Sequence, residues 1–550
     1  MLVAPATAAA QEPKLPASQS EPPRFFERSA AEVKRIAARA EKVRAEPGLT
    51  PNAYTRGTGR WQVSFFRDGD EIVQVHVDDR SGRIVEQWSG DQVAWRMARG
   101  YPGAFGRKLN APYVWIPLCL MFLLPFFDFH RPFRLLHLDL LVLLGFGVSH
   151  VFFNRGEIGT SVPLVYPVLV YLLVRMLWAG WRPRERAGRL VPHLPLSWMA
   201  VLLVVLVIFR VGLNVVDSNV IDVGYAGVIG ADRIVDGDEL YGSGFSDDVE
   251  KGDTYGPVNY LLYVPFEQTL RWSGAWDDLP AAHAAAIAFD LLALGGLLLL
   301  GRALRAGADG RRLGIALAYA WAAFPYTAFA LETNANDTLV ALACIGALLG
   351  FCWRSGATAG VAVAVGAATK FAPLALAPLF ARRSPVVFGL ALALTLVLVT
   401  LPFVPDGGLR EIYDRTVGYQ AGRLSPFSVW GQVAWLGWLH TVVKVAAAAL
   451  AVLVAFFPRR VGERELAGLA AAVLIAVQLT ATHWFYLYIV WFLPFVLVAL
   501  FGAYVGSGRR ASYSAAGSSS CSMERARPSE SPSITTALSH GSSSEVSKRT

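Results

Sequence analysis

Acidic and aromatic side chains are concentrated in one long polar segment, residues 216–280, which lies between two apolar stretches of the chain. Two aspartates, Asp217 and Asp222, stand near its start, and Tyr255 stands near its end. An aspartate within hydrogen-bond reach of an acceptor hydroxyl can act as a general base. Residues five apart do not share one face of a helix well, so we expect one aspartate rather than both to be catalytic. A solvated acidic loop or a helix cap is the alternative interpretation.

Further polar residues stand at the boundaries of later apolar stretches. Lys370 lies at membrane depth and is most simply a counter-charge for phosphate, although its side chain can also extend to an interface. Asn336 and Asp337 either bind a substrate or cap the helix that follows. His483 either hydrogen-bonds a phosphate or sugar or is a satisfied boundary histidine. The other candidates are polar and aromatic: Tyr255, Arg423, Ser425, Trp430 and Tyr486.

The elements that position these residues are predicted to be membrane helices. The chain has 550 residues, of which 54% are hydrophobic, and its mean hydropathy of +0.41 is too high for an ordinary soluble protein. Apolar runs long enough to cross about 30 Å of hydrocarbon recur along it. They lie near 112–129, 135–153, 161–180, 195–215, 281–301, 312–331, 335–353, 385–403, 441–457, 464–482 and 484–505. We therefore predict an all-α polytopic membrane protein of about 11–13 transmembrane helices, in which 357–381 is a broken helix.

The net charge of +8 is explained by short basic loops beside the membrane rather than by nucleic-acid binding. These loops surround Arg182–Arg189, Arg302–Arg312, Arg382–Arg383 and Arg459–Arg460. If they face the cytoplasm, the polar segment 216–280 and the other candidates lie outside. The four cysteines have no paired spacing, so neither a disulfide framework nor a zinc site is predicted from them. No Walker loop, nucleophile elbow, HExxH or CxxC pair is present, which disfavours nucleotide hydrolysis and zinc proteolysis.

The two ends of the chain differ from its apolar middle. Residues 1–23 are typical of a signal-peptide remnant or a disordered terminus, and the Ser-rich residues 506–550 are typical of a disordered cytoplasmic tail. Residues 24–110 predict a small α+β domain, with one helix and strands near 61–66, 72–77 and 83–88. Its motif Val77-Asp-Asp-Arg-Ser-Gly82 resembles that of a PepSY domain, which implies an extracytoplasmic domain with a regulatory or inhibitory role.

The order of the candidate motifs resembles glycosyltransferase superfamily C, and within it the bacterial polyprenol-phosphate-mannose-dependent α-mannosyltransferases. The matching features are Asp222 with Tyr225, small residues over 226–231, Gly237–Tyr241, Asn336-Asp337, Lys370 in its broken helix, Ser425–Trp430 and His483–Tyr486. The resemblance covers roughly residues 195–505. Two features depart from it: three extra spans (111–194) and the PepSY-like domain precede the usual first span, and the Asn334/Asn336 region differs from the family's common Gly-Gln-x-Asp. The second departure leaves the donor sugar open.

The resemblance implies an inverting glycosyltransferase on the outer face of a bacterial cytoplasmic membrane. It implies a polyprenyl-phosphate-linked sugar donor, a glycolipid or envelope-glycan acceptor, and no nucleic-acid partner. Asp222 would then be the base, with Asp217 in reserve, and Lys370 and His483 would hold the donor phosphate. Tyr225 would contact substrate. No cofactor is required, although the acidic loop could hold a divalent cation. A transporter or flippase of lipid-linked sugars is the alternative, and a sensor anchored by its spans is the third hypothesis.

Overall fold

The computed structural model describes residues 13–504, with gaps at 57–58, 91–92, 94–107, 187, 243–244, 246–250, 275–278 and 424. Most of the expected signal remnant and all of the expected tail lie outside the described residues. The described part comprises a small N-terminal sheet domain and a much larger set of helices.

The sheet domain contains two short helices, α1 (Ala30–Ala37) and α2 (Glu41–Arg44), and four strands. The strands β1 (Thr50–Arg56), β2 (Arg60–Arg67), β3 (Asp70–Asp78) and β4 (Ile84–Ser89) form an antiparallel meander in chain order. The apolar side of the sheet packs on α1, with Trp61, Val63 and Val75 buried in the shared core. This confirms the predicted α+β fold and adds one strand, β1, to the three that were predicted.

The turn of the PepSY-like motif has a clear local cause. The Asp78 carboxylate accepts hydrogen bonds from the Ser81 backbone N–H at 2.8 Å and from the Ser81 hydroxyl at 2.6 Å. Gly82 follows with a positive φ of 67°, which glycine adopts without a steric penalty. The neighbouring Asp79 is buried and accepts from the Trp61 indole N–H at 2.8 Å. The motif is therefore a turn that fixes the β3–β4 connection.

The helices that follow the sheet domain fall into two sets. The first set precedes the region of resemblance: α3 (Pro112–Leu123), α4 (Leu135–Leu144), α5 (Phe146–Asn154) and α6 (Ile158–Trp181). The second set begins with α7 (Leu196–Asp217), α8 (Asp222–Asp236), α9 (Pro257–Leu261), α10 (Val264–Thr269), α11 (Pro280–Leu304), α12 (Gly307–Ala323) and α13 (Pro325–Glu332). It continues with α14 (Asp337–Cys352), α15 (Gly356–Ala367), α16 (Ala377–Phe380), α17 (Pro385–Thr400), α18 (Gly408–Tyr413), α19 (Tyr419–Gly422), α20 (Val429–Gln432), α21 (Gly437–Phe456), α22 (Glu463–Leu479) and α23 (Ile489–Phe501).

By length and composition, six helices among the described residues could cross a membrane, or seven if the bent pair α12–α13 counts as one span. The six lie at 135–154, 158–181, 196–217, 280–304, 385–403 and 437–456. Shorter apolar helices occupy three more of the predicted spans, at 112–126, 337–352 and 486–501, and another, at 356–367, lies in the segment predicted to be a broken helix. The polytopic helical class is therefore confirmed, whereas the count is lower than the predicted 11–13, because several apolar runs form helices of 12 to 16 residues.

Burial distinguishes the centre of the bundle from its lipid-facing surface. Helices α22 and α23 are buried along nearly their whole length, while α17 and α21 expose apolar side chains such as Leu390, Leu398 and Val445. Close packing at small residues joins the first helices to the centre: a Cβ on Gly180 of α6 would lie 2.5 Å from the Leu469 side chain of α22. The three extra spans are thus part of the bundle rather than a separate anchor.

The predicted break within 357–381 is confirmed. Helix α15 ends at Ala367, a turn carries Lys370, and a 3-10 segment over Ala372–Leu376 leads to the four-residue helix α16. Pro373 and Pro378 lie at the starts of these short segments, where a missing backbone N–H is tolerated. The break places the Lys370 side chain at the end of α15 instead of within a continuous helix.

Candidate active site

A cavity of about 470 Å³ opens where the start of α8, the turn after α15, and the α22–α23 connection meet. Six residues selected from the sequence line it: Asp222, Tyr255, Asp337, Lys370, Arg423 and His483. They come from six separate segments, so the fold brings together residues that are far apart in the sequence. Two carboxylates, two cationic side chains and an imidazole therefore share one chamber.

The catalytic candidate Asp222 is the first residue of α8, and its Oδ1 accepts a hydrogen bond from the Val223 backbone N–H at 2.9 Å. Its side chain is accessible, and the space that it faces is this cavity, which is bounded by protein atoms but partly open. This loss of bulk water raises the pKa of Asp222 above its ordinary value, and the positive charges of Arg423 and Lys370 offset the rise only in part. A carboxylate with a raised pKa is a stronger base.

The segment Glu332–Asn336 positions Asp222. The backbone N–H of Ile221 donates to the Thr333 carbonyl at 2.9 Å, and the Asn334 side chain donates to the Asn219 carbonyl at 3.0 Å. Asn334 adopts a positive φ of 50°, which asparagine tolerates better than most residues. Helix α8 also approaches closely here, since a Cβ on Gly224 would lie 2.5 Å from the Asn334 carbonyl oxygen.

Lys370 forms a buried ion pair with Asp337, with 2.7 Å between Nζ and Oδ1. The Trp491 indole N–H donates to the same oxygen at 2.8 Å. Three aromatic rings, those of Tyr255, Tyr488 and Trp491, have centroids 5.5–5.7 Å from the ammonium. The other Asp337 oxygen, Oδ2, is buried with no hydrogen-bond partner among the described residues. The pair is thus fixed in position and retains an acceptor for a bound molecule.

Backbone contacts hold the two lining segments around Lys370 together. The Val258 N–H donates to the Ala368 carbonyl at 3.0 Å, and a Cβ on Gly256 would lie only 2.1 Å from that carbonyl oxygen. Only glycine permits this approach without a shift of the backbone. The Tyr255-Gly256-Pro257 sequence therefore brings the Tyr255 ring to the lysine.

His483 and Ser425 form a second polar cluster at the cavity wall. Ser425 Oγ lies 2.8 Å from His483 Nδ1, and the Ser425 hydroxyl also accepts from the Phe427 N–H at 3.2 Å. Burial, reinforced by the charges of Arg423 and Lys370, lowers the pKa of His483 well below its ordinary value. The imidazole is therefore neutral and can donate one hydrogen bond to an oxygen atom of a ligand.

Six sequence-selected residues do not line the cavity: Asp217, Tyr225, Asn336, Ser425, Trp430 and Tyr486. Asp217 lies 3.7 Å from Lys108, and Asn336 donates to the Asn259 side chain. Trp430 donates to the Leu479 carbonyl at 2.9 Å, and the Tyr486 hydroxyl lies 2.6 Å from Ser149 Oγ on α5. Ser425 still reaches the site through His483. The reserve catalytic role of Asp217 and the substrate contacts of the other five residues stay predictions.

Several lining residues were missed from the sequence, among them Gln420, Lys444, Gln478, Tyr488 and Trp491. Tyr488 and Trp491 belong to an aromatic run whose sequence is typical of a buried protein core or of a membrane interface. Lys444, in contrast, lies within the apolar span α21, and the reasoning that selected Lys370 at membrane depth applies to it equally.

The site and the fold together define a polytopic membrane protein with a polar, charged cavity at one end of its helices. A model of glycosyltransferase family 87 matches residues 254–517, a little under half of the chain. The matched region contains Tyr255, Asp337, Lys370, Arg423 and His483 but begins after Asp222. No curated protein matches the chain. The match indicates a membrane glycosyltransferase and is consistent with superfamily C.

Proposed function

We propose that this protein is an inverting glycosyltransferase that moves a hexose, mannose in the first instance, from a polyprenyl-phosphate donor to a lipid or envelope-glycan acceptor. The single observation that carries the proposal is the placement of a raised-pKa carboxylate, Asp222, in the same cavity as Lys370 and Arg423. A base on one side and cations on the other are what transfer from a phosphate leaving group requires.

The proposed reaction is a single displacement at the sugar C1 atom. The acceptor hydroxyl oxygen attacks C1 while Asp222 takes the hydroxyl proton, and the bond between C1 and the phosphate oxygen breaks with inversion. The electron pair of that bond leaves with the polyprenyl phosphate, whose added negative charge is stabilised by Arg423 and Lys370. Neutral His483 donates a hydrogen bond to the sugar or phosphate. Asp217 lies outside the cavity lining, so the proposal gives the base role to Asp222 alone.

We further propose that the cavity faces the outside of a bacterial cytoplasmic membrane. The basic loops after α6, α11, α16 and α21 support this orientation, because positive residues favour the cytoplasmic side. The outer loop that contains Asp222 and Tyr255 then lies where lipid-linked sugars are used. The PepSY-like domain is proposed to lie on the same outer side.

The direct test is sugar transfer by purified protein in proteoliposomes supplied with radiolabelled polyprenyl-phosphate mannose and a lipid extract as acceptor. We expect label to move to a new glycolipid without any nucleotide sugar being added. Parallel reactions with polyprenyl-phosphate glucose and arabinose would identify the donor if mannose fails. Movement of intact donor between leaflets without any new glycosidic bond would support a flippase and contradict the proposal.

We predict that the pH profile of sugar transfer falls on its acidic side at a pH above the pKa of an ordinary aspartate, which is about 3.9. The sign follows from the base: protonated Asp222 cannot accept a proton, so activity falls as pH is lowered through its raised pKa. The measurement is kcat/KM against pH. Arg423→Gln should move this fall to a still higher pH, since the cation that lowers this pKa is then absent; a fall at or below pH 4 would contradict the prediction.

We predict that Lys444 guides the donor phosphate into the cavity from the bilayer. Lys444 is the eighth residue of the span α21, about 10 Å along the helix from its start, yet its side chain is exposed and lines the cavity. A cation at this depth is costly unless it meets an anion. Lys444→Ala should raise KM for the donor roughly tenfold, the equivalent of about 1.4 kcal/mol, with little change in kcat. Lys444→Arg is the charge-preserving control, and equal KM values for the alanine variant and wild type would exclude the role.

A further inference from the structure

A second cluster of ligating side chains lies at the other end of the bundle from the cavity. Asp128 and His130 belong to the connection between α3 and α4, and His193 belongs to the connection between α6 and α7. One ligand atom from each residue lies within 4.8 Å of the others. Asp128 Oδ1 is 3.9 Å from His130 Nδ1 and 3.9 Å from His193 Nε2.

This cluster is remote from the proposed catalytic site. The Arg134 guanidinium contacts Asp128 and also lies 4.8 Å from the centre of the Tyr504 ring. Tyr504 follows the end of α23, whereas Tyr488 and Trp491, near the start of α23, line the cavity. The intervening helix of 13 residues is about 20 Å long. A ligand bound by the cluster therefore cannot take part in sugar transfer.

The Asp128 side chain is held so that one oxygen faces the two imidazoles. The Asp128 backbone N–H donates to His137 Nε2 at 3.0 Å. The His137 ring is itself fixed, because its Nδ1 lies 2.8 Å from the Pro132 carbonyl oxygen and the ring stacks on Phe127. Arg134 contacts the other carboxylate oxygen, Oδ2, at 3.4 Å. A carboxylate ligand is commonly oriented by a hydrogen-bond donor of this kind.

We propose that Asp128, His130 and His193 bind one divalent transition-metal ion of the zinc class. Two imidazole nitrogens and one carboxylate oxygen are a donor set typical of Zn²⁺, whereas Ca²⁺ and Mg²⁺ prefer oxygen ligands throughout. Bonds of about 2.0–2.1 Å in a tetrahedron place ligand atoms about 3.4 Å apart. The two separations of 3.9 Å, and the spread of up to 4.8 Å among the three ligand atoms, exceed this value, so the exposed imidazoles must rotate to bind the ion.

The bound ion would join the extra helices to the bundle. His193 precedes α7, the first helix of the region of resemblance, while Asp128 and His130 belong to the additional helices. The Arg134 side chain already donates to the Arg189 carbonyl at 3.3 Å, so the two connections are in contact before any metal binds. The metal would fix the separation of the two connections. Because it binds the folded protein, it would also raise the free energy of unfolding by an amount set by its affinity and its concentration.

The test is Zn²⁺ titration by calorimetry of full-length, chelator-treated protein in detergent, purified with an affinity tag that lacks histidine. We expect one equivalent to bind, the melting temperature to rise with Zn²⁺, and Co²⁺ to give the visible absorption of a tetrahedral site. His130→Ala and His193→Ala should each weaken binding at least tenfold. His540→Ala, outside the described residues, is the matched control and should leave binding unchanged.

The exposed side chains of His130 and His193 make unfolding of these variants a poor explanation for lost binding, and their transfer activity provides a check that the fold persists. Absence of any stoichiometric Zn²⁺ binding by the wild-type protein would overturn the proposal. Binding that survives in the His130→Ala/His193→Ala double variant would also overturn it, because the metal would then be held elsewhere. Equal affinity for Ca²⁺ would contradict the nitrogen-rich donor set.

Discussion

Asp222→Asn is expected to lower the rate of sugar transfer by roughly 10²–10⁴-fold, the usual contribution of a general base. Asparagine has nearly the same shape and its side-chain oxygen can still accept from the Val223 N–H, so the start of α8 should be unchanged. What is lost is the ability to take a proton from the acceptor hydroxyl. The effect should therefore fall on kcat, with KM for the donor little altered.

Asp217→Asn is the matched control for this variant. Asp217 is the last residue of α7 and lies five positions before Asp222, but its carboxylate faces Lys108 at 3.7 Å and does not line the cavity. We expect its transfer rate to stay within a few-fold of wild type. If Asp217→Asn is inactive and Asp222→Asn is active, the roles of the two residues are reversed. If both are fully active, neither is the base.

The same Asp222 variant should melt at a higher temperature than wild type at neutral pH. The folded-state pKa of Asp222 is raised, so above the unfolded-state pKa its ionisation favours unfolding. Removing the charge removes this penalty, and the difference should disappear once pH falls below the unfolded value of about 3.9. A rise in melting temperature together with a loss of transfer separates a catalytic defect from a folding defect, and it is typical of residues kept for function at a cost in stability.

The broken helix and the membrane class were predictable from the sequence because their physical causes are local. Two prolines and a lysine inside an apolar run cannot continue a simple span, and the structure ends α15 just before Lys370. The strand β1, in contrast, was missed because its residues Thr50–Arg56 show no apolar alternation. Only Ala53 of this strand is buried, and Pro51 is tolerated because β1 is an edge strand.

The candidate site was predictable in most of its charged residues, Lys444 excepted, but in only one of the aromatic residues around Lys370, Tyr255. Lys370, Asp337 and Arg423 could be selected because charged side chains beside or within a membrane are energetically costly and therefore indicate a functional site. Tyr488 and Trp491 carry no such signal, since aromatic residues are common at interfaces and in buried helices. Their role follows from the distances of 5.5 Å between each ring centroid and the Lys370 ammonium and, for Trp491, also from its N–H bond to Asp337.

The choice between neighbouring candidates also needed the structure. Spacing alone indicated that Asp217 and Asp222 would not act together, but it could not say which one faces the cavity. The decision lies in long-range backbone contacts, in which residues 332–336 fix the chain between α7 and α8. From the sequence, the polar residues of this segment could either bind substrate or cap a helix, and in the structure Asn334 supports the approach to Asp222.

Lys370→Met is expected to destabilise the protein by roughly 3–5 kcal/mol and to abolish transfer. The ammonium is buried and pairs with the buried Asp337 at 2.7 Å, so its removal leaves a carboxylate charge without a partner in a low-dielectric environment. The Trp491 N–H bond to the same oxygen remains but supplies no charge. The measurement is the shift of the unfolding midpoint in detergent, together with transfer activity at a temperature where the variant is folded.

The double variant Lys370→Met/Asp337→Asn separates the structural role of this pair from its catalytic role. Asparagine can still accept from the Trp491 N–H, and no buried charge is left, so most of the lost stability should return. Transfer should not return, because the cavity then lacks a cation that stabilises the departing phosphate. A double variant as unstable as Lys370→Met would show that the ion pair is not the cause of the instability. A stable double variant with wild-type transfer would exclude Lys370 from the donor site and leave Arg423 as the cation on which the leaving group depends.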